Sequence, residues 1–344
     1  MDSPAPFLSP SEAARQLGVS PKALRLYEQR GLVAPVCTGA GWRAYGPGEM
    51  ARAAEVVALR ALGLSLAQIA RVLEGDPTGL EAALATHQTA LEGQLLQLAG
   101  TVEKVHGLRA GLNQGQAPAA GELVRLLDPA TDPCAAFDLP WPWGGERFEL
   151  RGIRPLTYII GPLGSGKTRL AQRLAEALPG AVFLGLERLA DGGMAMRMQL
   201  GADSALASRV DQILAWLVED DATASAALTA LLSGLEADGP AVLVIDMVEQ
   251  GLDGATQEAL IAHLRRRGPG RRPLFLLTRS SSILDLEAVG ANEAIILCPA
   301  NHSPPTLVAS RPGAPGYEAV ATCLASPEVR ARTEGILALR PQVA

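Results

Sequence analysis

Leu156-Thr157-Tyr158-Ile159-Ile160 runs straight into Gly161-Pro162-Leu163-Gly164-Ser165-Gly166-Lys167-Thr168, and an amphipathic stretch follows through Leu178. An apolar β-rich run, a glycine loop and a helical pattern make a strand–loop–helix unit. The loop reads G-x-x-x-x-G-K-T. Glycines at this spacing let backbone N–H groups close around phosphate oxygens, and the helix N-terminus adds the positive end of its dipole. Lys167 is expected to reach the β- and γ-phosphates, and the Thr168 hydroxyl to ligate magnesium. The expected nucleotide-binding set is Gly161, Gly164, Ser165, Gly166, Lys167 and Thr168.

Outward from this unit, short apolar runs alternate with longer helical stretches from Phe148 onward, which predicts an α/β domain with a mainly parallel sheet. Ala241-Val242-Leu243-Val244-Ile245-Asp246 is a second apolar strand, ending on an aspartate suited to hold magnesium through water. No N-K-x-D-like string reads guanine, which favours ATP as the nucleotide.

These strings resemble the ABC-type ATPase class, with its SMC- and RecF-like relatives, over roughly residues 146–300. Phe148-Glu149-Leu150 matches its first strand, Asp246-Met247-Val248-Glu249-Gln250-Gly251-Leu252-Asp253 its magnesium strand and the loop after it, and Leu274-Phe275-Leu276-Leu277-Thr278-Arg279-Ser280 its switch strand. The resemblance implies ATP and Mg2+ as ligands. Three departures bear on hydrolysis. The class places a glutamate after the magnesium aspartate; here Met247 stands there and cannot accept a proton. Arg279 replaces the switch histidine and is suited to contact a γ-phosphate. Leu206-Ala207-Ser208-Arg209 is a poor match to the class signature. Glu249 is the remaining candidate base, expected to point elsewhere from its strand-end turn. The implied domain binds ATP and hydrolyses it slowly or not at all; an active ATPase or phosphotransferase is the alternative.

At the other end of the chain, Ser9 and Pro10 open a short helix over Glu12 to Leu17, Gly18 breaks it, and Ser20 caps a second helix from Pro21 to Arg30. This is a helix-turn-helix pattern. Gly41-Trp42-Arg43-Ala44-Tyr45 predicts an extended wing beside it. Between Arg15 and Arg60 seven basic residues face three acidic ones, a local excess of four positive charges in a chain of net charge -6. DNA contact therefore falls to this patch rather than to the chain as a whole.

The segment Leu8 to Leu73 resembles the MerR family of transcriptional regulators along its whole DNA-binding domain. The matching strings are Ala13-Ala14-Arg15-Gln16-Leu17-Gly18-Val19-Ser20, Ala23-Leu24-Arg25-Leu26-Tyr27-Glu28, Arg30-Gly31-Leu32-Val33, the Gly41–Tyr45 wing, and Leu59-Arg60-Ala61-Leu62-Gly63-Leu64-Ser65-Leu66-Ala67-Gln68-Ile69. Leu26 and Trp42 stand where the family has tyrosines. The resemblance implies a winged helix-turn-helix that binds double-stranded promoter DNA as a homodimer, with RNA polymerase as a further partner. Its expected DNA-binding residues are Ser20, Lys22, Arg25, Tyr27, Arg43 and Tyr45.

From Leu84, apolar residues recur in steps of four and three through Leu91, Leu95, Leu98, Val102, Val105 and Leu112, with Gln88 and Arg109 in the same seam. That spacing predicts a coiled coil of about four heptads. Metal-sensing MerR relatives carry cysteines near the end of this helix, whereas residues 77–133 hold none. The four cysteines, Cys37, Cys134, Cys298 and Cys323, form no C-x-x-C pair, against a disulfide framework or a zinc site. No signal-peptide pattern and no apolar run of about 18 residues occurs, so the expectation is a cytoplasmic protein without a membrane span.

The expected architecture is multidomain. A helix-rich winged helix-turn-helix spans 1–78, a dimerisation helix 79–112, a Pro/Gly-rich linker or docking strap 113–145, an α/β P-loop nucleotide-binding domain 146–325 and a tail 326–344. In the strap, Trp141 and Trp143 either pack as core or stack on an adenine. The functional expectation is a nucleotide-sensing transcriptional regulator, with a docking platform for a repair or defence partner as a further alternative.

Overall fold

The computed structural model describes residues 7–37, 42–113, 135–267 and 271–325; most of the strap, Gly41 of the wing and the tail from 326 lie outside them. Four short helices build the N-terminal domain: α1 (Pro10–Leu17), α2 (Pro21–Gln29), α3 (Pro47–Ala61) and α4 (Leu66–Leu73). Their starts follow from local chemistry. Ser9, Ser20 and Ser65 each accept a backbone N–H of the first turn, and Ser9 with Glu12 and Ser65 with Gln68 complete reciprocal capping boxes. Gly18 ends α1 at φ 68°, a left-handed conformation that favours glycine. The wing is a two-residue antiparallel pairing of β1 (Val36–Cys37) with β2 (Arg43–Ala44). Ala13, Leu24, Tyr27, Tyr45, Val56 and Ile69 form the centre of this domain's core.

A single helix, α5 (Leu80–Asn113), then leaves the domain. Its apolar seam is turned to solvent: Leu95 and Leu98 are 68% and 66% exposed, and Leu84, Leu91, Val102 and Leu112 are exposed as well.

The C-terminal domain is a six-stranded sheet in the order β10-β9-β5-β8-β7-β6, comprising β5 (Leu156–Ile160), β6 (Ala181–Leu184), β7 (Val242–Ile245), β8 (Leu274–Leu277), β9 (Glu293–Leu297) and β10 (Thr306–Val308). All its pairings are parallel except the β10 edge. Residues alternate between two cores. Leu156, Tyr158, Ile160, Leu243, Ile245, Leu274 and Leu276 face helices α8 (Ser204–Glu219), α9 (Ala226–Glu236), α10 (Gly254–Arg265) and α11 (Tyr317–Leu324). Ile159, Val242, Val244, Phe275 and Leu277 face α6 (Lys167–Ala177). A parallel sheet covered on both sides is why these strands read as unbroken apolar runs. Helix α7 (Met194–Ala202) packs against α8 and α9.

One part of the strap is not a linker. β3 (Ala135–Asp138) pairs with β4 (Arg147–Leu150) as a hairpin, and Phe137, Leu139 and Trp143 join the α6-side core. The prolines and glycines here serve the hairpin's turn, where Trp141–Pro142 is cis.

Candidate nucleotide site and DNA-facing residues

β5 aims its C-terminal end into the loop Gly161–Gly166, and α6 starts at Lys167. Two glycines are required by close approach. A Cβ on Gly161 would lie 2.4 Å from the Cys298 carbonyl, and one on Gly166, at φ 88°, would lie 2.6 Å from the Trp143 ring. The Lys167 ammonium donates to the carbonyls of Gly161 and Pro162, at 2.7 Å each. Burial lowers its pKa; the Arg279 charge adds in the same direction, while Cys298 and Asp246 oppose it. The Ser165 hydroxyl is buried in the loop with no hydrogen-bond partner.

The Thr168 hydroxyl donates to Asp246 Oδ2 at 3.1 Å, although 78 residues separate them. These are the two side-chain oxygens beside Lys167 that could hold a magnesium ion. β8 lies between the P-loop strand β5 and the Asp246 strand β7. That order brings the residues that follow β8, Thr278 and Arg279, to the sheet edge between the P-loop and Asp246.

Met247 follows Asp246 at φ 44°, a left-handed backbone for a bulky residue. Glu249 departs from expectation. Rather than pointing elsewhere, it turns back to the segment after β8, where Oε1 accepts the Arg279 backbone N–H at 2.9 Å and Oε2 is buried without a partner. The Arg279 Nε is likewise buried without one. Arg188, to which no motif points, holds the end of β7. Its guanidinium donates to the carbonyls of Gly185, Asp246 and Met247 at 2.7–2.9 Å. It sits in a 3-10 turn, Leu186–Gly192, whose sequence carries no recognisable pattern.

The tryptophan pair splits. Trp143 is 5% exposed, packs under the P-loop and donates to the Ser303 carbonyl at 3.1 Å. Trp141 is 72% exposed, with the Arg169 guanidinium 5.2 Å from its ring.

In the N-terminal domain the DNA-binding candidates also separate. Arg25 is exposed on α2. Arg43 pairs with Glu28 at 2.7 Å. Ser20, Tyr27 and Tyr45 are buried. Ser20 caps α2, and the Tyr45 hydroxyl donates to Glu28. Their side chains serve the domain's own packing in this arrangement. Lys22 faces the P-loop domain, where its ammonium meets Glu258 at 2.7 Å. Among the described residues no cluster of three or more His, Cys, Asp or Glu is poised to hold a metal. Nor is any described helix long and apolar enough to cross a membrane.

Comparison with known proteins locates the N-terminal part. The model of the MerR HTH family regulatory proteins matches residues 8–76. A Haemophilus influenzae protein, named a probable heavy metal-dependent transcriptional regulator, is 34% identical over 102 residues, 28% of this chain and 80% of that one. The crystal structure of the HTH-type transcriptional regulator SkgA from Caulobacter crescentus is 28% identical, covering 36% of this chain and 91% of that one with a TM-score of 0.23. An ATP-binding cassette of an ABC transporter in its ADP conformation covers 59% of this chain and 98% of its own, at 14% identity and a TM-score of 0.37. With the serine-capped helix pair, the wing and a relative matched over four-fifths of its length, the chain belongs to the MerR family of helix-turn-helix transcriptional regulators.

Proposed function

We propose that the protein is a dimeric promoter-binding regulator whose P-loop domain binds ATP with Mg2+ and serves as a nucleotide-responsive sensor with weak or no hydrolysis. The observation that carries this reading is the Thr168–Asp246 pair at 3.1 Å beside Lys167, followed by a methionine where a carboxylate would activate water. The loop glycines and Lys167 hold the phosphates, Thr168 and Asp246 hold magnesium, and Arg279 reads the γ-phosphate. Bound Mg2+ would neutralise phosphate charge there. Trp141, exposed beside the start of α6, supplies a flat face for the base. The exposed apolar seam of α5 supports pairing with a second copy, which a two-fold operator also favours.

Glu249 favours the second reading, an active DNA-linked ATPase, because its carboxylate reaches the Arg279 N–H and keeps one buried oxygen without a partner. Purified protein separates the two. ATP binding and turnover are measured with and without duplex DNA, beside Lys167→Ala. The sensor reading expects ATP to bind, turnover to be negligible and binding to be lost in Lys167→Ala. Turnover lost in both Lys167→Ala and Glu249→Gln establishes the ATPase instead, and absence of ATP binding removes both.

A further inference from the structure

The recognition helix α2 does not stand clear of the rest of the chain. Three basic residues of the DNA-binding domain are engaged by carboxylates of the P-loop domain. Lys22 meets Glu258 of α10 at 2.7 Å, Arg30 meets Asp221, and Arg60 meets Asp220 at 2.7 Å. The α4 N-terminus is held too, with the Leu66 N–H donating to Asp220 and the Ser65 hydroxyl to Glu219. Trp216 of α8 lies between Arg60 and Arg266, with guanidinium-to-ring distances of 5.5 and 3.6 Å. A cavity of about 350 Å³ remains between the domains, with Ala23 and Leu26 of α2 on one side and Ala255 and Ala262 of α10 on the other.

A phosphate must compete with Glu258 for the Lys22 ammonium. Glu258 and Asp221 also place negative charge against α2, the helix that must approach a polyanion. The contact reaches the candidate nucleotide site through a short chain. The Ser280 N–H donates to Thr278 Oγ1, the Ser282 N–H donates to the Ser280 hydroxyl, and the Ser282 hydroxyl donates to Glu258 while accepting from Lys22 at 3.4 Å. Ser280 is bound as well to Gln257, next to Glu258 on α10. Arg279, set to meet a γ-phosphate, is one residue from the start of this chain.

We propose that the P-loop domain is an intramolecular competitor of DNA: Glu258 and Asp221 dock the recognition helix through Lys22 and Arg30, and the Arg279–Ser282 loop is the latch through which nucleotide loosens the dock. The latch rests on the nucleotide-sensor reading; the dock does not. Occupancy of the P-loop shifts the loop, the shift weakens the Lys22–Glu258–Ser282 cluster, and the undocked population that can meet DNA grows.

Full-length protein tests both parts. Carbodiimide forms a zero-length amide between an amine and a carboxylate in contact, so it should join Lys22 to Glu258, read by peptide mass spectrometry. Affinity for a random-sequence duplex is read by anisotropy in wild type, in Asp221→Asn/Glu258→Gln, and in the charge-matched control Asp138→Asn/Glu149→Gln. If about a tenth of the molecules are undocked, the dock variant gains about tenfold in affinity, and the control gains far less. An absent cross-link, or equal gains in the two variants, overturns the dock. Adding a non-hydrolysable ATP analogue with Mg2+ should lower the cross-link yield in wild type and leave Lys167→Ala unchanged. If the dock results hold while the analogue binds without altering the cross-link, the latch fails. If the analogue does not bind at all, the sensor reading fails and the dock stands.

Discussion

The two folded domains reach stability by different routes. The P-loop domain encloses a parallel sheet between two apolar cores, and its central strands β5, β7 and β8 are buried on both faces. The helix-turn-helix domain has one small core of mostly alanine, leucine and valine, and part of its support comes from outside. Asp220, buried on the P-loop domain, takes the Leu66 N–H and pairs with Arg60. Small domains bury a smaller fraction of their surface and are correspondingly marginal. The dependence should therefore run one way: the larger domain does not need the smaller, while the smaller leans on the larger.

The sharpest way to break this comparison is to damage the sheet. Phe275 is wholly buried at the centre of β8. Phe275→Ala should cost about 3–5 kcal/mol through lost burial and the cavity left behind. Hydrogen exchange should accelerate in peptides from β5 to β9 and also in α4, whose N-terminus is tied to Asp220. Undisturbed protection in α4 would show that the small domain stands alone.

The converse is Asp220→Ala. It leaves the part-buried Arg60 guanidinium without its carboxylate and the Leu66 N–H without its acceptor. Removing one partner of a buried pair costs about 3 kcal/mol. Here exchange should quicken in α2–α4 alone, with the sheet unchanged.

How much of this is legible in sequence follows the same divide. The glycine loop, the apolar strands, the serine caps and the seam of α5 are written in contiguous strings, because neighbouring residues make those structures. Ser9-Pro10-Ser11-Glu12 carries both halves of the cap that starts α1 within four residues. The dock has no such string. Asp220, Asp221 and Trp216 lie far along the chain from the helices they meet, 154 residues in the case of Asp220 and Leu66, and nothing local distinguishes them from solvated surface. The β3–β4 hairpin is hidden by its prolines and glycines. The direction in which Glu249 points is set by the Arg279 N–H in the loop after β8, which no reading of its own turn contains. Tyr27 and Tyr45 match the family strings whether their side chains face DNA or core; burial alone tells these apart.

A pH titration probes the junction from the P-loop side. His263 of α10 packs on Trp216 at 5.5 Å, and its pKa is pulled from 6.5 to about 3, by burial first and then by Arg266, Arg267 and Arg271. The unfolded chain takes up that proton first as pH falls. Stability is therefore full above pH 6.5 and declines as pH falls toward about 3. Between neutral pH and about pH 5, the loss should be about 2 kcal/mol. His263→Gln should flatten this slope in urea midpoints measured across the range. An unchanged slope would assign the acid sensitivity to carboxylates elsewhere.

The smallest expected effect isolates the recognition helix itself. The Ser20 hydroxyl is buried and accepts the Ala23 N–H at 3.1 Å, satisfying a donor that α2 would otherwise leave open. Ser20→Ala should cost about 1 kcal/mol, a factor of about five in local opening. Because this cap comes from within the helix-turn-helix rather than from the P-loop domain, the loss should appear as faster exchange in α2 peptides, with α4 and the sheet unaffected. If α4 loosens equally, the helix-turn-helix opens as one unit and its cap matters to the whole domain. If only α2 responds, the Asp220 contact holds α4 in place independently, and the recognition helix is the least stable element on the DNA side.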